Sequence, residues 1–331
     1  MKVTITDIAN AVGCAVSTVS KALTDSTDVN AKTKEAVLKC AVEMGYEIGR
    51  KKSNSKGTLA AVIQCSALDK IRFEYNLLFG FKLEASRAGY DVEIVLKSPD
   101  DHDWSFASKI ENAKKAYCGA FLLHVEKTAL LVREIDAGSL PVVAFDEHYD
   151  TPRAAFVGCD GAYGIALAVR HLCEYGHKRI AFFGGSPGAL VSVERKRSFI
   201  SAMRGAGLDV LPELVAESNF SQNFAPSIIP EFVNTGATAI VCASDLLASY
   251  AVEELKRLGL RVPQDISVVG FDNVPLSEEV NPPLTTVDQN LVEIGKSAFY
   301  LLEKLIDGVS VSKLQFRPKL VVRDSTALCK E

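Results

Sequence analysis

From residue 59 onward the chain alternates short runs of apolar residues with stretches of helical periodicity. That alternation constrains the fold more than any other feature. The apolar runs fall at 59–65, 92–96, 120–124, 142–145, 180–183, 239–243 and 266–270. Helical patterns lie between most of them, at 77–88, 163–175, 194–206, 246–258 and 291–306. A strand that is apolar along its whole length must be covered on both faces, and parallel neighbours need a crossover helix to join them. The pattern therefore predicts an α/β domain with parallel sheets. About 265 residues of it exceed one ordinary doubly wound unit, so the expectation is two lobes with a cleft between them.

The first fifty residues have a different texture. Ile5, Ile8, Ala9 and Val12 repeat at i, i+3, i+4, i+7 and predict a helix. Gly13 ends it, because glycine takes a left-handed conformation at little cost. Val19, Ala22 and Leu23 are the inward positions of a second helix whose other face carries Ser17, Ser20 and Lys21. A third helix follows, with Asn30 as its N-cap and Ala36, Val37, Cys40 and Ala41 as its apolar stripe. Two short helices about a Gly turn, the second polar and small on its outer face, match the helix-turn-helix plan for entering the DNA major groove. The expected organisation is an all-α three-helix head over 1–48, a polar, cationic linker over 49–58, a two-lobed domain over 59–326 and a short tail over 327–331.

Charge supports that division. Residues 1–57 carry nine Lys/Arg against six Asp/Glu, about +3, and the remainder carries 28 against 35, about −7. A basic head on an acidic body fits a nucleic-acid module joined to something that does not touch nucleic acid. No stretch approaches the roughly 18 uninterrupted apolar residues of a membrane span. The first residues lack an apolar signal segment, which predicts a cytoplasmic protein with no membrane partner. The eight cysteines form no CxxC pair and sit mostly in apolar runs, so they read as small buried hydrophobes, with no metal expected. Gly184-Gly185 follows a strand without a phosphate-loop signature, and no cofactor is expected.

Ligands of two-lobed α/β folds sit outside the carboxyl ends of strands. Asp146, Ser244, Asp245 and Asp272 each fall just after an apolar run and are candidates on that ground. Asp245 also suits the cap of the helix beginning at residue 246.

At this point the residues resemble a known family, the lactose-repressor/galactose-repressor (LacI/GalR) transcription regulators. The head matches in "VTITDIANAVG", "STVSKAL" and "VNAKTKEAVLKCAVEMGY", and the body in "GHKRIAFFGG", "ERKRSF", "LKRLGLRVPQDISVVGFDN" and "PPLTTVDQ". Their order and spacing span residues 3 to about 326. The resemblance implies a homodimer whose heads bind a double-stranded, pseudo-palindromic DNA operator. It implies a body like a periplasmic binding protein that senses a small-molecule effector, often a sugar or nucleobase. On the family pattern the recognition helix starts near Ala15. Base edges are met by Val16, Ser17 and Lys21, with Thr6, Thr18 and Ser20 completing the DNA-binding set; the competing role for Val16 is core packing. The effector set adds Arg195 from "ERKRSF", Phe156, Phe220, and Phe73 and Glu74 with Arg72 from the loop that usually carries Asn-Pro-Phe-Phe. It joins these to Asp146, Ser244 and Asp272. Carboxylates, Arg and aromatic rings suit the hydroxyls and apolar face of a sugar; for Phe156 and Phe220 the alternative is core packing. His171 and His177 fall in a fold motif and read as structural.

The chain departs from that pattern in places. Ala15 stands where Ser or Thr usually caps the recognition helix, Thr24 where Asn is usual, and Ser244 where Asn is usual. The linker has neither Pro nor the Leu that wedges into the minor groove. Lys51, Lys52 and Lys56 are left either to contact phosphates or to belong to a flexible tether. No heptad tail remains after residues 321–323, so the expected assembly is a dimer and not a tetramer. A solute-binding protein without a DNA role would explain the body but not the head. An enzyme would need a nucleophile elbow, dinucleotide fingerprint or HExxH pattern, and none is found.

Overall fold

The computed structural model describes residues 3–23, 28–44, 46, 55–65, 73–113 and 116–330. The expectations for Thr24, Lys51, Lys52, Arg72 and most of the linker lie outside these residues. Three helices open the chain: α1 Ile5–Val12, α2 Val16–Leu23 and α3 Ala31–Glu43. Thr4 caps α1 in a reciprocal box with Asp7, and Gly13 closes it at φ 71°. The Asn30 carboxamide oxygen accepts from the Thr33 amide at 2.8 Å, as an N-cap of α3 should. Ile8, Ala9, Val19, Ala22, Leu23, Val37, Leu38 and Ala41 form the buried core. One expectation fails here: Ala36 is exposed, and Leu38 takes the inward place. The buried positions of α3 run i, i+1, i+4, one step round from the stripe read in the sequence.

The rest follows in chain order: β1 Gly57–Gln64, α4 Glu74–Ala88, β2 Tyr90–Lys97, β3 Tyr117–Leu123, α5 Ala129–Ala137, β4 Val142–Phe145 and β5 Ala154–Cys159. Then come α6 Gly161–Glu174, β6 Ile180–Gly184, α7 Leu190–Gly205, β7 Val215–Glu217, α8 Ala225–Asn234, β8 Ala239–Cys242, α9 Asp245–Arg257, β9 Ser267–Asp272, α10 Leu276–Glu279 and β10 Thr285–Asp288. The chain ends with α11 Leu291–Ile306, β11 Lys313–Phe316 and β12 Lys319–Val321. Strand β1 starts at Gly57, inside the stretch expected to be linker.

The chain divides into two compact units, Met1–Gly158 with Leu291–Gln315, and Cys159–Asn290 with Phe316–Glu331. Each holds one six-stranded sheet, ordered β11-β5-β4-β3-β1-β2 in the first and β12-β10-β9-β8-β6-β7 in the second. The first five strands of each unit thus repeat one winding, with the order reversing beside β1 and beside β6. That is the doubly wound plan, whose binding crevice lies where the order switches. Pairings among β1–β5 and β6–β10 are parallel, and β12 runs antiparallel to β10.

In the first unit Ala120 and Leu122 point to a core with Trp104, Phe106, Leu131 and Ile135, while Phe121 points the other way and stacks on Phe81 of α4 at 4.9 Å. Helices α4 and α11 cover that second face and touch backbone to backbone. A Cβ on Gly80 would lie 2.1 Å from the Val292 carbonyl oxygen, and one on Gly295 would lie 2.1 Å from that of Leu77. Only hydrogen fits at either position. Gly80→Ala and Gly295→Ala are each expected to destabilise the protein by about 1–3 kcal/mol through overpacking. Urea denaturation would measure this, and an unchanged midpoint for both would refute the close approach.

Candidate functional site

Helix α2 presents the predicted reading face. Its first backbone bonds run from the Thr18 and Val19 amides to the Ala15 carbonyl, at 2.9 and 3.1 Å. Ala15 supplies no side-chain oxygen, and the lost cap costs about 1 kcal/mol of helix stability. Val19, Ala22 and Leu23 face inward. Val16 is 46% exposed, so its side chain is not part of the core. Ser17, Ser20 and Lys21 are also exposed, Thr18 is half-buried, and Thr6 of α1 is exposed. Lys21 Nζ meets the Asp28 carboxylate at 2.9 Å in an exposed pair, and that bond holds Asp28 below its usual range. An exposed pair of this kind exchanges readily for another anion.

In the second unit the expected residues gather at the carboxyl edge of the sheet. Asp272 ends β9 at φ 117°, and Arg195 projects from α7. The two are buried and 3.6 Å apart, an ion pair longer than a hydrogen bond. The Arg195 guanidinium carbon sits over the Phe271 ring, 3.8 Å from its centroid, and the group donates to the Ala243 carbonyl, just past β8, at 2.5 Å. Gln289 donates to Asp272 at 2.6 Å. Arg195 Nε, Gln289 Oε1 and Ser192 Oγ are buried without a hydrogen-bond partner. Such groups are costly until something satisfies them. Phe220, at φ 62°, lays its ring against Gly185 just past β6, where a Cβ would meet the ring at 2.1 Å.

The cap of α9 falls one residue earlier than the sequence predicts. Ser244, not Asp245, caps α9: its hydroxyl accepts from the Leu247 amide at 3.1 Å. The hydroxyl keeps its own hydrogen to donate. Asp245 is fully buried and ties the Thr286 hydroxyl, at 2.5 Å, to the Val274 amide, at 2.9 Å. Burial, reinforced by the nearby Asp272 carboxylate, pushes Asp245 well above the usual carboxylate range.

In the first unit Asp146 follows β4 at φ 55°, and Phe73 and Glu74 open α4. The Phe73 ring lies 5.2 Å from His124 and 5.8 Å from Phe145. Glu74 and His124 Nδ1 are 2.9 Å apart. His124 was missed in the sequence because it was read as the last residue of a strand. The strand stops at Leu123, and His124 turns out at φ 52°, as Asp146 does after β4. Gln289, one residue past β10, was missed for want of any apolar signal. Phe156 is only 7% exposed; its ring stacks on His148 at 4.1 Å, with Lys313 Nζ 5.2 Å away. Those neighbours match the packing alternative read for it in the sequence and leave its effector role a matter of proposal. Lys56 Nζ lies over the Tyr90 ring at 5.4 Å.

Only Cys159 and Cys242 are buried; the other six cysteines are half-buried, contrary to the reading as core residues. All eight are free thiols, and among the described residues no three His, Cys, Asp or Glu gather into a metal site. Nor is any described helix long and apolar enough to cross a membrane. His171 bonds the Thr326 hydroxyl at 3.0 Å, and His177 joins the Thr238 hydroxyl at 2.9 Å to the Ala327 carbonyl at 3.0 Å. Both are structural, and they pin the C-terminal residues to the second unit.

Comparison with known proteins agrees with this geometry. Residues 4–47 match the family described as bacterial regulatory proteins, lacI family, and residues 169–326 match a periplasmic binding protein-like domain. The chain is 32% identical to the HTH-type transcriptional regulator MalR of Streptomyces coelicolor, over 99% of this chain and 97% of that one. Among solved structures, the transcriptional regulator CelR–cellobiose complex is similar at TM-score 0.71 and 26% identity, covering 98% of this chain and 100% of that one. The lac repressor dimer bound to operator and the anti-inducer ONPF shares the fold at TM-score 0.67 and 24% identity, covering 99% and 100%. The protein belongs to the LacI family of DNA-binding transcriptional regulators and is not an enzyme.

Burial holds His171 and His177 below the ordinary value of 6.5. The unfolded chain then binds protons that the folded chain does not, so stability is complete above 6.5 and is lost as pH falls through it. Denaturation midpoints are expected to drop between about pH 7.5 and about pH 5.5, with a shallower drop in the His171→Gln/His177→Gln double variant. An equal slope in both proteins would count against buried neutral imidazoles.

Proposed function

We propose that this protein is a cytoplasmic repressor that binds its operator as a homodimer and is released from it by a sugar. The observation that carries the sugar reading is the buried Arg195–Asp272 pair with Gln289, set at the carboxyl edge of β8 and β9. A guanidinium offers paired donors and a carboxylate paired acceptors, so adjacent hydroxyls of a sugar ring can bridge them. Phe220 beside Gly185 offers an apolar face to the same edge. Glu74, His124, Phe73 and Asp146 supply a second polar and aromatic set at the carboxyl edge of the first sheet. The cellobiose bound by the CelR neighbour supports a saccharide over a nucleobase. The lac repressor neighbour, a dimer on operator, supports the assembly.

On the DNA side, exposed Val16, Ser17 and Lys21 read base edges, while Thr6, Thr18 and Ser20 meet the backbone. Lys can donate to guanine, Val can pack on a thymine methyl, and Ser is permissive. The head is taken as 1–48, and the sensor as running from β1 at Gly57 through the C-terminal residues that His177 holds.

The test is fluorescence anisotropy with DNA from the promoter regions flanking the gene, titrated with mono- and disaccharides. The wild type is expected to bind one fragment and to release it with one class of sugar. Arg195→Met should keep DNA binding while raising the sugar's dissociation constant about ten- to hundred-fold, since bonds to charged groups contribute about 1.5–3 kcal/mol. Lys21→Ala should lose discrimination at one operator position by about ten-fold, within the 1–3 kcal/mol of a base contact. If Arg195→Met responds to sugar like the wild type, the assignment of this cluster is wrong. Affinity lost equally for all sequences would reduce Lys21 to a phosphate contact.

A further inference from the structure

The reading face of α2 holds a carboxylate against its predicted base-reading cation. Lys21 stands in the last turn of α2, and Asp28 lies seven residues on, ahead of Asn30, the N-cap of α3. The Asp28 carboxylate accepts from Lys21 Nζ at 2.9 Å, across the connection between the two helices. Both side chains are open to water, at 54% and 64% exposure. Their backbones are not free to drift. Ala22 and Leu23 follow Lys21 into the buried core of the head, and Val29 follows Asp28 into the same core. The packing therefore sets the carboxylate beside the ammonium. Asp28 also stays ionised, because the bond from Lys21 holds it below the ordinary carboxylate range.

An ammonium has three hydrogens and can serve two acceptors at once. The nature of the second acceptor decides whether Asp28 helps or hinders. A guanine edge offers a neutral oxygen and a neutral nitrogen. Lys21 can donate to that edge while Asp28 keeps another of its hydrogens and holds the ammonium in place. A phosphate oxygen is itself anionic. It and the Asp28 carboxylate would each lie about 2.9 Å from one nitrogen, and so within about 6 Å of each other. That is inside the Debye length of about 10 Å at 0.1 M salt, so the two anions repel almost unscreened. Moving Lys21 wholly onto the phosphate gives no relief, since the carboxylate stays on the same held backbone.

We infer that Asp28 is a positioning residue for Lys21 that sets how sharply the head tells operator from other DNA: it lends Lys21 to a neutral base edge and opposes its use as a phosphate clamp. The inference rests on the base-edge reading of Lys21 above. All six acids of residues 1–57 lower the charge of the head, but Asp28 also touches the reading cation itself. Specificity is a difference of affinities, and it rises when the wrong partner is penalised more than the right one. DNA without the operator sequence is held through its phosphates, so it bears the repulsion in full. At the operator Lys21 is on a base, and the repulsion falls away.

The test uses the full-length protein and two duplexes: the promoter fragment that the wild type binds, and a scrambled duplex of equal length and composition. Fluorescence anisotropy at several salt concentrations gives both affinities and their salt slopes. Asp28→Asn is expected to tighten binding to the scrambled duplex by about ten-fold and to the promoter fragment by less than about three-fold. The salt slope on the scrambled duplex should steepen by about 0.9 for each phosphate gained. Asp28→Glu, which keeps the carboxylate, should retain the wild-type ratio of affinities. In a Lys21→Ala background, Asp28→Asn should change either affinity by less than about three-fold. Equal tightening on both duplexes, or the full ten-fold tightening without Lys21, would reduce Asp28 to a general surface charge and overturn the inference. An unchanged affinity for the scrambled duplex would overturn it too. If the amide disturbs the entry to α3, seen as a lower melting midpoint, Asp28→Ser makes the same comparison. The two readings fail separately. Lys21→Ala losing affinity equally for all sequences overturns the base-edge reading and this inference with it. Failure of the Asp28 variants, with the Lys21→Ala loss confined to one operator position, overturns this inference alone.

Discussion

Parallel pairing of β1, β3 and β4, and again of β6, β8 and β9, brings all their carboxyl ends to one edge of each sheet. Everything functional in the body depends on that constraint. His124, Asp146, Gly185, Ala243 and Asp272 each follow or end a strand, and none is near another in sequence. Three of the five, His124, Asp146 and Asp272, leave the strand at positive φ. A non-glycine residue turned this way costs free energy, which the surrounding packing must hold. The turn directs the side chain out of the ladder and into the edge, where it can meet a ligand.

The second unit shows how such an edge tolerates charge. Arg195 is a buried cation beside buried Asp272, and buried Asp245 lies close enough to feel both Asp272 and Arg323. The Phe271 ring and the Ala243 carbonyl absorb part of the Arg195 guanidinium's desolvation. Burial, reinforced by Asp272, drives Asp245 toward the neutral form against the pull of Arg323, while Asp272 is the carboxylate that Arg195 and Gln289 address. Asp245 in turn fixes Val274 and Thr286, so the loop after β9 is set by a residue that need not touch ligand. Gly270 makes room for it, since a Cβ there would lie 2.3 Å from its carboxylate.

Most of this order was legible because apolar runs and helical periodicity mark strands and helices wherever burial is one-sided or complete. The helix expected at 291–306 has those bounds in the structure. Other elements hid for physical reasons. Strand β10 is Thr-Thr-Val-Asp, polar by composition yet buried, because Asp245 and the Arg323 backbone satisfy its hydroxyls. Helix α8 carries Pro226 and Pro230, which read as breakers, and β7 is three half-exposed residues. Strand β5 follows Pro152 and contains Gly158, which must stay small because Asp146 and Phe156 close on it at 2.2 and 2.7 Å. At the site, Arg195 and Asp272 came from motif and strand end together. His124 and the cap of α9, on Ser244 and not Asp245, turned on boundaries one residue wide, where periodicity carries no information.

The same limit bears on how the head is held. Read alone, its three helices look self-sufficient, with an apolar stripe on each. The α2 helix begins at Ala15 without a side-chain cap, and the buried core of Ile8, Val19, Leu23, Val37 and Leu38 holds it in place. Phe79 and Leu83 lie in a helix buried along most of its length, with Lys82 and Glu84 among its residues, so no simple stripe separates the residues facing β3 from those facing the head. A helix buried on most sides needs cover on each: β3 supplies one face, α11 another and α3 a third. Removing the head would expose Phe79 and Leu83 to water, which at about 1.5–3 kcal/mol for each side chain is a large fraction of a domain's net stability. Head and first lobe therefore stabilise each other.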